Sequence, residues 1–129
     1  MNASDIDTLF KTIAEIAEKE FQDIVTFTNR IDEKLRIFLI DKSYVDIWFS
    51  RKLKGRYAYH WEHTHIRGKI HRHDNIPHQK WSPIKTFPKH FHNDEEAKVQ
   101  ESTIDDDPEI GLRVFLEFIR QKLKDYGVI

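Results

Sequence analysis

Arg56-Tyr57-Ala58-Tyr59-His60-Trp61-Glu62-His63-Thr64, joined through Ile66-Arg67-Gly68 to Lys69-Ile70-His71-Arg72-His73-Asp74-Asn75, is the stretch that decides the fold. Large aromatic residues recur at every second position of its first half, the period of a strand, and the second half keeps the same alternation. Gly68 in the third position of a three-residue loop suits a type I turn closed by a left-handed residue. A hairpin follows, with His65 opposite Lys69, His63 opposite His71 and Trp61 opposite His73. Tyr57, Tyr59, Trp61, His63, His65, Lys69, His71 and His73 would then share one face. A two-residue loop would slip the register by one and set His60 and Glu62 with His71 and His73 instead.

Working outward, Val25 and Phe27, then Leu35, Ile37 and Leu39, then Tyr44 to Phe49 read as further strands, with Asp41-Lys42 and Lys54-Gly55 as turns. Ile6, Leu9, Phe10, Ile13, Ile16, Ala17 and Phe21 recur at helical spacing, which predicts an amphipathic helix over residues 5–21 with Ser4 as N-cap. Asp107-Pro108 supplies the cap and first-turn proline of a closing helix to about Lys124. Its apolar residues cover more than one face, which fits either a central core position or a partner interface. From Ile76 to Asn93 no period survives and three prolines intervene, so a long loop is expected there, with a last strand between Ala97 and Thr103. The expected fold is α+β: an antiparallel meander of about five to six strands packed against an N-terminal and a C-terminal helix, one domain spanning residues 1–129.

Composition narrows the function. The chain has 129 residues and no cysteine, which removes disulfides, thiolate metal sites and cysteine nucleophiles. No apolar run has the ~20 residues of a membrane span and the first residues are acidic, so no membrane role and a cytoplasmic location are expected. The net charge of −1 conceals segregation: residues 1–50 carry −4, residues 51–92 carry +8 and residues 93–129 carry −5. All eight histidines also fall in the middle segment. A local field of this kind steers a polyanion whatever the global charge, and RNA is the partner it suits.

Three His-x-His pairs stand out, His63/His65, His71/His73 and His90/His92. On a strand each pair presents two imidazoles about 7 Å apart, a spacing open to metal ligation or to acid-base work on one phosphate. Few carboxylates and a surplus of fixed positive charge weigh against a metal, so neither metal nor cofactor is expected. An imidazole near pKa ~6.5 can instead take a proton from a ribose 2′-hydroxyl and return one to the leaving 5′-oxygen. The catalytic candidates are His71, His73, Asp74, His78, His90 and His92, with Asp74 orienting an imidazole or capping a turn. Arg67, Lys69, Arg72, Lys80 and Lys89 are candidates for phosphate contacts. Tyr59 and Trp61 would stack on bases if they face solvent, and would be core if they face the helices.

Tyr57-x-Tyr59-His60-Trp61, Arg72-x-Asp74-Asn75-x-Pro77-His78 and Phe87-Pro88-x-His90-x-His92, in this order, resemble the pattern of the TumE-type family, toxin components of two-gene toxin-antitoxin modules. The resemblance is strongest from Lys34 to Glu101. It implies a growth-inhibiting protein acting on RNA and held in check by a cognate antitoxin. No catalytic residues carry over from it. Together with the chemistry above, it gives a metal-independent endoribonuclease as the expected activity. A non-catalytic nucleic-acid- or ribosome-binding protein and a His-ligated metallohydrolase are the alternatives. The antitoxin or a second copy of the chain, forming a homodimer, would dock on the apolar last helix.

Overall fold

The computed structural model describes every residue from Met1 to Ile129. Its elements are α1 (Ala3–Glu20), β1 (Val25–Ile31), β2 (Lys34–Leu39), β3 (Tyr44–Phe49), β4 (Tyr57–His63), α2 (Thr64–Arg67), β5 (Lys69–Asp74), β6 (His90–Asp94), β7 (Val99–Glu101) and α3 (Pro108–Asp125). The strands form one seven-stranded sheet in chain order, every neighbouring pair antiparallel. The α+β class and the meander are as expected, with one or two strands more than the sequence predicts.

The unexpected strand is β6, which sits where a loop through Asn93 was predicted. Its His-Phe-His-Asn-Asp sequence carries little β-branched signal, and Pro83 and Pro88 precede it. Pairing with β5 on one side and β7 on the other makes it a strand despite weak local propensity. The loop before it therefore ends at Lys89 and holds a single 3-10 turn at Gln79–Trp81. The α1 cap is Asn2 rather than Ser4: the Asn2 side chain accepts from the Asp5 N–H at 2.9 Å. Asp107 caps α3 as predicted, accepting from the Ile110 N–H at 3.3 Å.

The hairpin between β4 and β5 closes through one turn of helix, α2, and not through three residues. Gly68 is left-handed there (φ 66°), as its place in the sequence demands, but the register moves by two residues. Trp61 faces His71, Tyr59 faces His73 and His63 faces Lys69. A shift of two preserves side-chain direction, so the predicted face survives except for His65, which α2 carries away.

Both long helices lie on one side of the sheet. Val45, Ile47 and Phe49 of β3, and Tyr57, Tyr59 and Trp61 of β4, join Phe10 and Ile13 of α1 and Leu112, Phe115, Leu116 and Ile119 of α3 in a single core. Trp61 and Tyr59 are fully buried, the face on which they share a row being the helix side. Trp61 pays no hydrogen-bond penalty there, because its Nε1–H donates to Ser43 Oγ at 2.9 Å. The helices are clamped by Arg113 on Glu20 and Arg120 on Asp23. The α3 question is thus answered in favour of the core, although Ile110 and Val114 remain exposed. No helix is long and apolar enough to cross a membrane.

Candidate functional site

Helices cover one sheet face, and strand alternation turns the other set of side chains outward on the opposite face. The registers line up Arg36, Asp46, His60, Arg72 and His92 in one row across five strands. The adjacent row runs Lys34, Trp48, Ala58, Asp74 and His90. Two cavities of about 450 and 430 Å³ open along these rows, meeting at Arg72 and Ile76, which line both. The first lies over Lys34, Arg36, Tyr44, Trp48 and His60, and the second over Asp74, His78, Lys80, Trp81, His90 and His92.

Charges on this face are organised in pairs. Arg36 makes a two-pronged contact with Asp46 at 2.8 and 2.9 Å, and that hydrogen bonding raises the Arg36 pKa. Its guanidinium also lies 3.9 Å from the centre of the Tyr44 ring. His60 Nε2 stands 3.3 Å from Glu62, yet burial outweighs the carboxylate and holds its pKa below the ordinary imidazole value. Arg72 donates through Nε to Asp74 Oδ2 at 2.8 Å, and its two terminal nitrogens make no hydrogen bond within the chain.

The second cavity has a buried floor. Asp74, His90 and His92 are only 4%, 2% and 5% exposed. Asp74 Oδ1 accepts from the Ile76 N–H at 2.9 Å, the turn-capping arrangement that the sequence offers as one of two readings. His90 Nδ1 donates to the Pro88 carbonyl at 2.8 Å and His92 Nδ1 to the Glu96 carbonyl at 2.7 Å. These bonds fix the tautomers: in each neutral ring Nε2 carries the lone pair. His90 Nε2 lies 3.3 Å from Asp74 Oδ1 and His92 Nε2 lies 3.9 Å from Asp74 Oδ2, and neither makes a hydrogen bond. Trp81 from the loop sits over both rings, 6.2 Å from His90 and 5.9 Å from His92 between ring centres. His78, which lines the same cavity, accepts at Nδ1 from the Lys80 N–H at 3.2 Å.

Of the residues singled out from the sequence, Arg72, Asp74, His78, Lys80, His90 and His92 meet here. The others do not. His71 and His73 are on the helix side beside Tyr59 and Trp61, against Phe118 and Phe115 of α3. Burial, the largest cause, pulls the His71 pKa down to about 4 and that of His73 to about 3. His71 Nδ1 is 3.0 Å from His63 Nε2, and His73 Nδ1 is 2.7 Å from Ser102 Oγ. These rings work inside the core, and Tyr59 and Trp61 cannot stack on a base without unfolding it. Arg67 pairs with Asp41 at 2.7 Å beneath the Tyr126 ring, near which Lys69 also lies. Lys89 Nζ donates to the Ile104 carbonyl at 2.5 Å. The +8 segment is therefore no single basic patch, since acids from both flanks of the sequence neutralise much of it.

Sequence reasoning missed His60, Arg36, Trp48 and Trp81. A signal for His60 and Trp48 was present: Tyr44-Val45-Asp46-Ile47-Trp48-Phe49 places its one charge in phase with Trp48 and out of phase with Val45 and Ile47. That alternation marks the wet face, and Ala58-x-His60-x-Glu62 continues it across the next strand.

A family model described as Toxin TumE matches residues 6–123, which takes in most of α1 and α3, all seven strands and every residue of the two cavities. No curated protein and no solved structure matches the chain.

Proposed function

This chain belongs to the TumE toxin family and is a toxin component, which implies a cognate antitoxin as partner, and from that membership we propose that it acts by cleaving RNA laid along the open face of its sheet. The observation that carries this reading is the pair of cavities meeting at Arg72 on the face no helix covers. Lys34, Arg72 and Lys80 offer cations to successive phosphates, and Tyr44, Trp48 and Trp81 offer rings on which unpaired bases can stack. A single strand suits such a surface better than a duplex, whose bases are already stacked.

Cleavage of an RNA phosphodiester needs a proton taken from the 2′-hydroxyl, a proton given to the 5′-oxygen, and relief of the charge gathering on the phosphoryl oxygens. The terminal nitrogens of Arg72 are placed to meet that charge, with Asp74 holding the guanidinium from behind. Imidazole acid-base catalysis without a metal and cation-assisted cleavage both set the reacting phosphate at the same spot. It lies between Arg72 and the Nε2 atoms of His90 and His92, below His78 and Trp81.

The test is incubation of the purified protein with labelled single-stranded RNA and with total RNA. Cleavage is expected, with affinity that weakens steeply as salt rises, the logarithm of the binding constant falling by about 0.7 per phosphate neutralised for each tenfold rise in salt on a single strand. The Arg72→Ala variant should weaken both binding and cleavage. Growth inhibition undiminished in an Asp74→Asn, His92→Gln double variant would sink catalysis and leave a protein that only binds its target.

A further inference from the structure

The orientation of the two rings on β6 is unusual enough within this molecule to carry more. We infer that Asp74, His90 and His92 form a binding site for one divalent transition-metal cation of the zinc class, with its remaining coordination positions turned toward the groove. The inference deepens the reading of this site as a nuclease centre, resting on that reading for the use of the cation but not for its binding.

The case begins with register. Alternation on β6 puts His90 and His92 on one face, and pairing with β5 sets Asp74 opposite His90 and Arg72 opposite His92. One ligand atom from each of Asp74, His90 and His92 then lies within 4.8 Å of the others. The ligand atoms of a tetrahedral zinc ion stand about 3.3 Å apart, given metal-ligand distances near 2.05 Å. The separations of 3.3 and 3.9 Å between the ring nitrogens and the carboxylate are close to that spacing.

Tautomer is the second observation. Metal-bound imidazoles characteristically donate their other N–H to a carbonyl or carboxylate, which fixes the ring and points the lone pair at the ion. Both rings here do so, through Pro88 and Glu96. Both are more than nine-tenths buried, and both leave Nε2 without a hydrogen-bond partner, aimed at the same carboxylate. The other two His-x-His pairs bring no two rings to one carboxylate. His63 and His71 spend their facing nitrogens on each other at 3.0 Å, His71 alone turns its other nitrogen to a carboxylate (Asp94, 3.0 Å), His73 turns to Ser102, and His65 binds the Lys42 carbonyl at 2.9 Å.

Two neutral imidazoles and one carboxylate are a nitrogen-rich set, suited to Zn²⁺ or its Co²⁺ and Mn²⁺ relatives and poorly suited to Mg²⁺ or Ca²⁺. Three protein ligands leave an open position, as catalytic sites do and structural sites do not. Arg72 is the fixed cation in contact with the cluster, and it opposes the ion electrostatically. A carboxylate has about four lone-pair sites, so Asp74 can keep its bonds from Arg72 and the Ile76 N–H while giving one lone pair to a metal. Beyond Arg72 and Lys80, which lies across the cavity, the segment's positive charge is partly ion-paired away from the cluster, Arg67 on Asp41, Lys69 on Asp94 and Lys89 on Asp106.

The experiment uses the full chain, purified without a histidine tag, stripped with chelator and dialysed. Titration with ZnCl₂ by calorimetry and with CoCl₂ by visible absorption should each show one equivalent per chain, the cobalt spectrum having d–d bands of low-coordinate intensity. His92→Gln, His90→Gln and Asp74→Asn should each lower the affinity at least tenfold, while His65→Gln, on exposed α2, should leave it unchanged. Absence of a saturable one-equivalent phase in the wild-type protein overturns the inference, whether or not any variant folds. So does a His65→Gln effect as large as that of His92→Gln, which would mean adventitious histidine binding only. RNA binding and cleavage measured on both the stripped and the zinc-loaded protein separate the two readings: absence of both in both forms, beside intact one-equivalent cation uptake, sinks the nuclease and upholds the cation site.

Discussion

His63, His71 and His73 stand on one face of the sheet, His60, His90 and His92 on the other, and the six differ in what their nitrogens touch more than in how buried they are. On the helix side each ring lies among aromatic neighbours, His63 stacked on Trp61 at 3.8 Å between centres and His73 on Phe91 at 4.1 Å. These rings are packing material that must stay neutral. His71 also turns an unspent Nε2 toward a carboxylate, Asp94 at 3.0 Å, but that nitrogen is sealed from solvent, whereas on the open side His90 and His92, as inaccessible overall, face their unspent nitrogens toward Asp74 at the wall of the cavity. Burial alone therefore does not separate a structural histidine from a functional one. The separating property is whether hydrogen bonding leaves a lone pair directed into solvent-filled space.

The largest effect that sharpens this contrast is on activity. His92→Gln should cut RNA cleavage by about 10²-fold or more, the usual range for removing a proton-transfer or ligand imidazole, with the thermal midpoint nearly unmoved. His71→Gln, measured per folded molecule, should leave cleavage unchanged and lower stability. The reverse pattern in a cleavage assay paired with denaturation would break the comparison outright.

Next comes the core. Trp61→Ala removes the largest fully buried side chain, the one that seats His63 and His71. A loss of about 3–5 kcal/mol is expected in urea unfolding. A loss under 1 kcal/mol would mean that the helix side is far looser than its geometry implies.

Acid is a gentler probe. Burial holds His71 at about 4 and His63 at about 3, whereas both titrate near 6.5 once unfolded. Their folded pKa values are depressed, so as pH falls below ~6.5 the unfolded chain takes up protons that the folded chain refuses. Stability is whole above ~6.5 and declines toward pH 4, by at most ~1.4 kcal/mol per pH unit for each ring. His71→Gln should flatten the slope measured by urea midpoints between pH 7 and 5. An unchanged slope would show that His71 charges freely and does not belong with the buried set.

The smallest effect expected is at Gly111 of α3. A methyl there would stand 2.7 Å from the Asp105 carbonyl and 3.2 Å from the Tyr59 ring. Alanine gains about 1 kcal/mol of helix propensity but must push α3 off β4, for a net loss of roughly 1–2 kcal/mol by thermal unfolding. Net stabilisation would show that α3 can slide over the helix-side rings without cost.

Much of this was legible from residue order. Period two through Arg56–Asn75, period three to four at both ends, the left-handed glycine at 68 and the capped proline at 108 all carried their meaning locally. The hairpin register was not legible, because Thr64–Arg67 could close as a loop or as a turn of helix, and tertiary packing chose the latter. The identity of the wet face was readable from Asp46 in β3, but the density of histidines drew attention to β5, where alternation between Lys69-x-His71-x-His73 and Ile70-x-Arg72-x-Asp74 is ambiguous. Strand β6 was hidden because its reason for being extended lies in β5 and β7 and not in itself. So was the role of its histidines, which depends on carbonyls at Pro88 and Glu96 that no spacing rule points to.

The meander in strict chain order has a consequence for how the molecule is made. Every strand finds its partner in the segment just synthesised, so the sheet and the groove on it can assemble progressively as the ribosome delivers residues 25–101. The element that shields the other side, α3, comes after all of them and must reach back to α1 across the Arg113 and Arg120 clamps. Between those two moments a nascent chain displays Trp61, His71 and Phe91 to solvent or to whatever chaperone attends it. Slowing translation over the codons for residues 108–125 would lengthen that vulnerable interval and should raise the aggregated fraction of newly made protein.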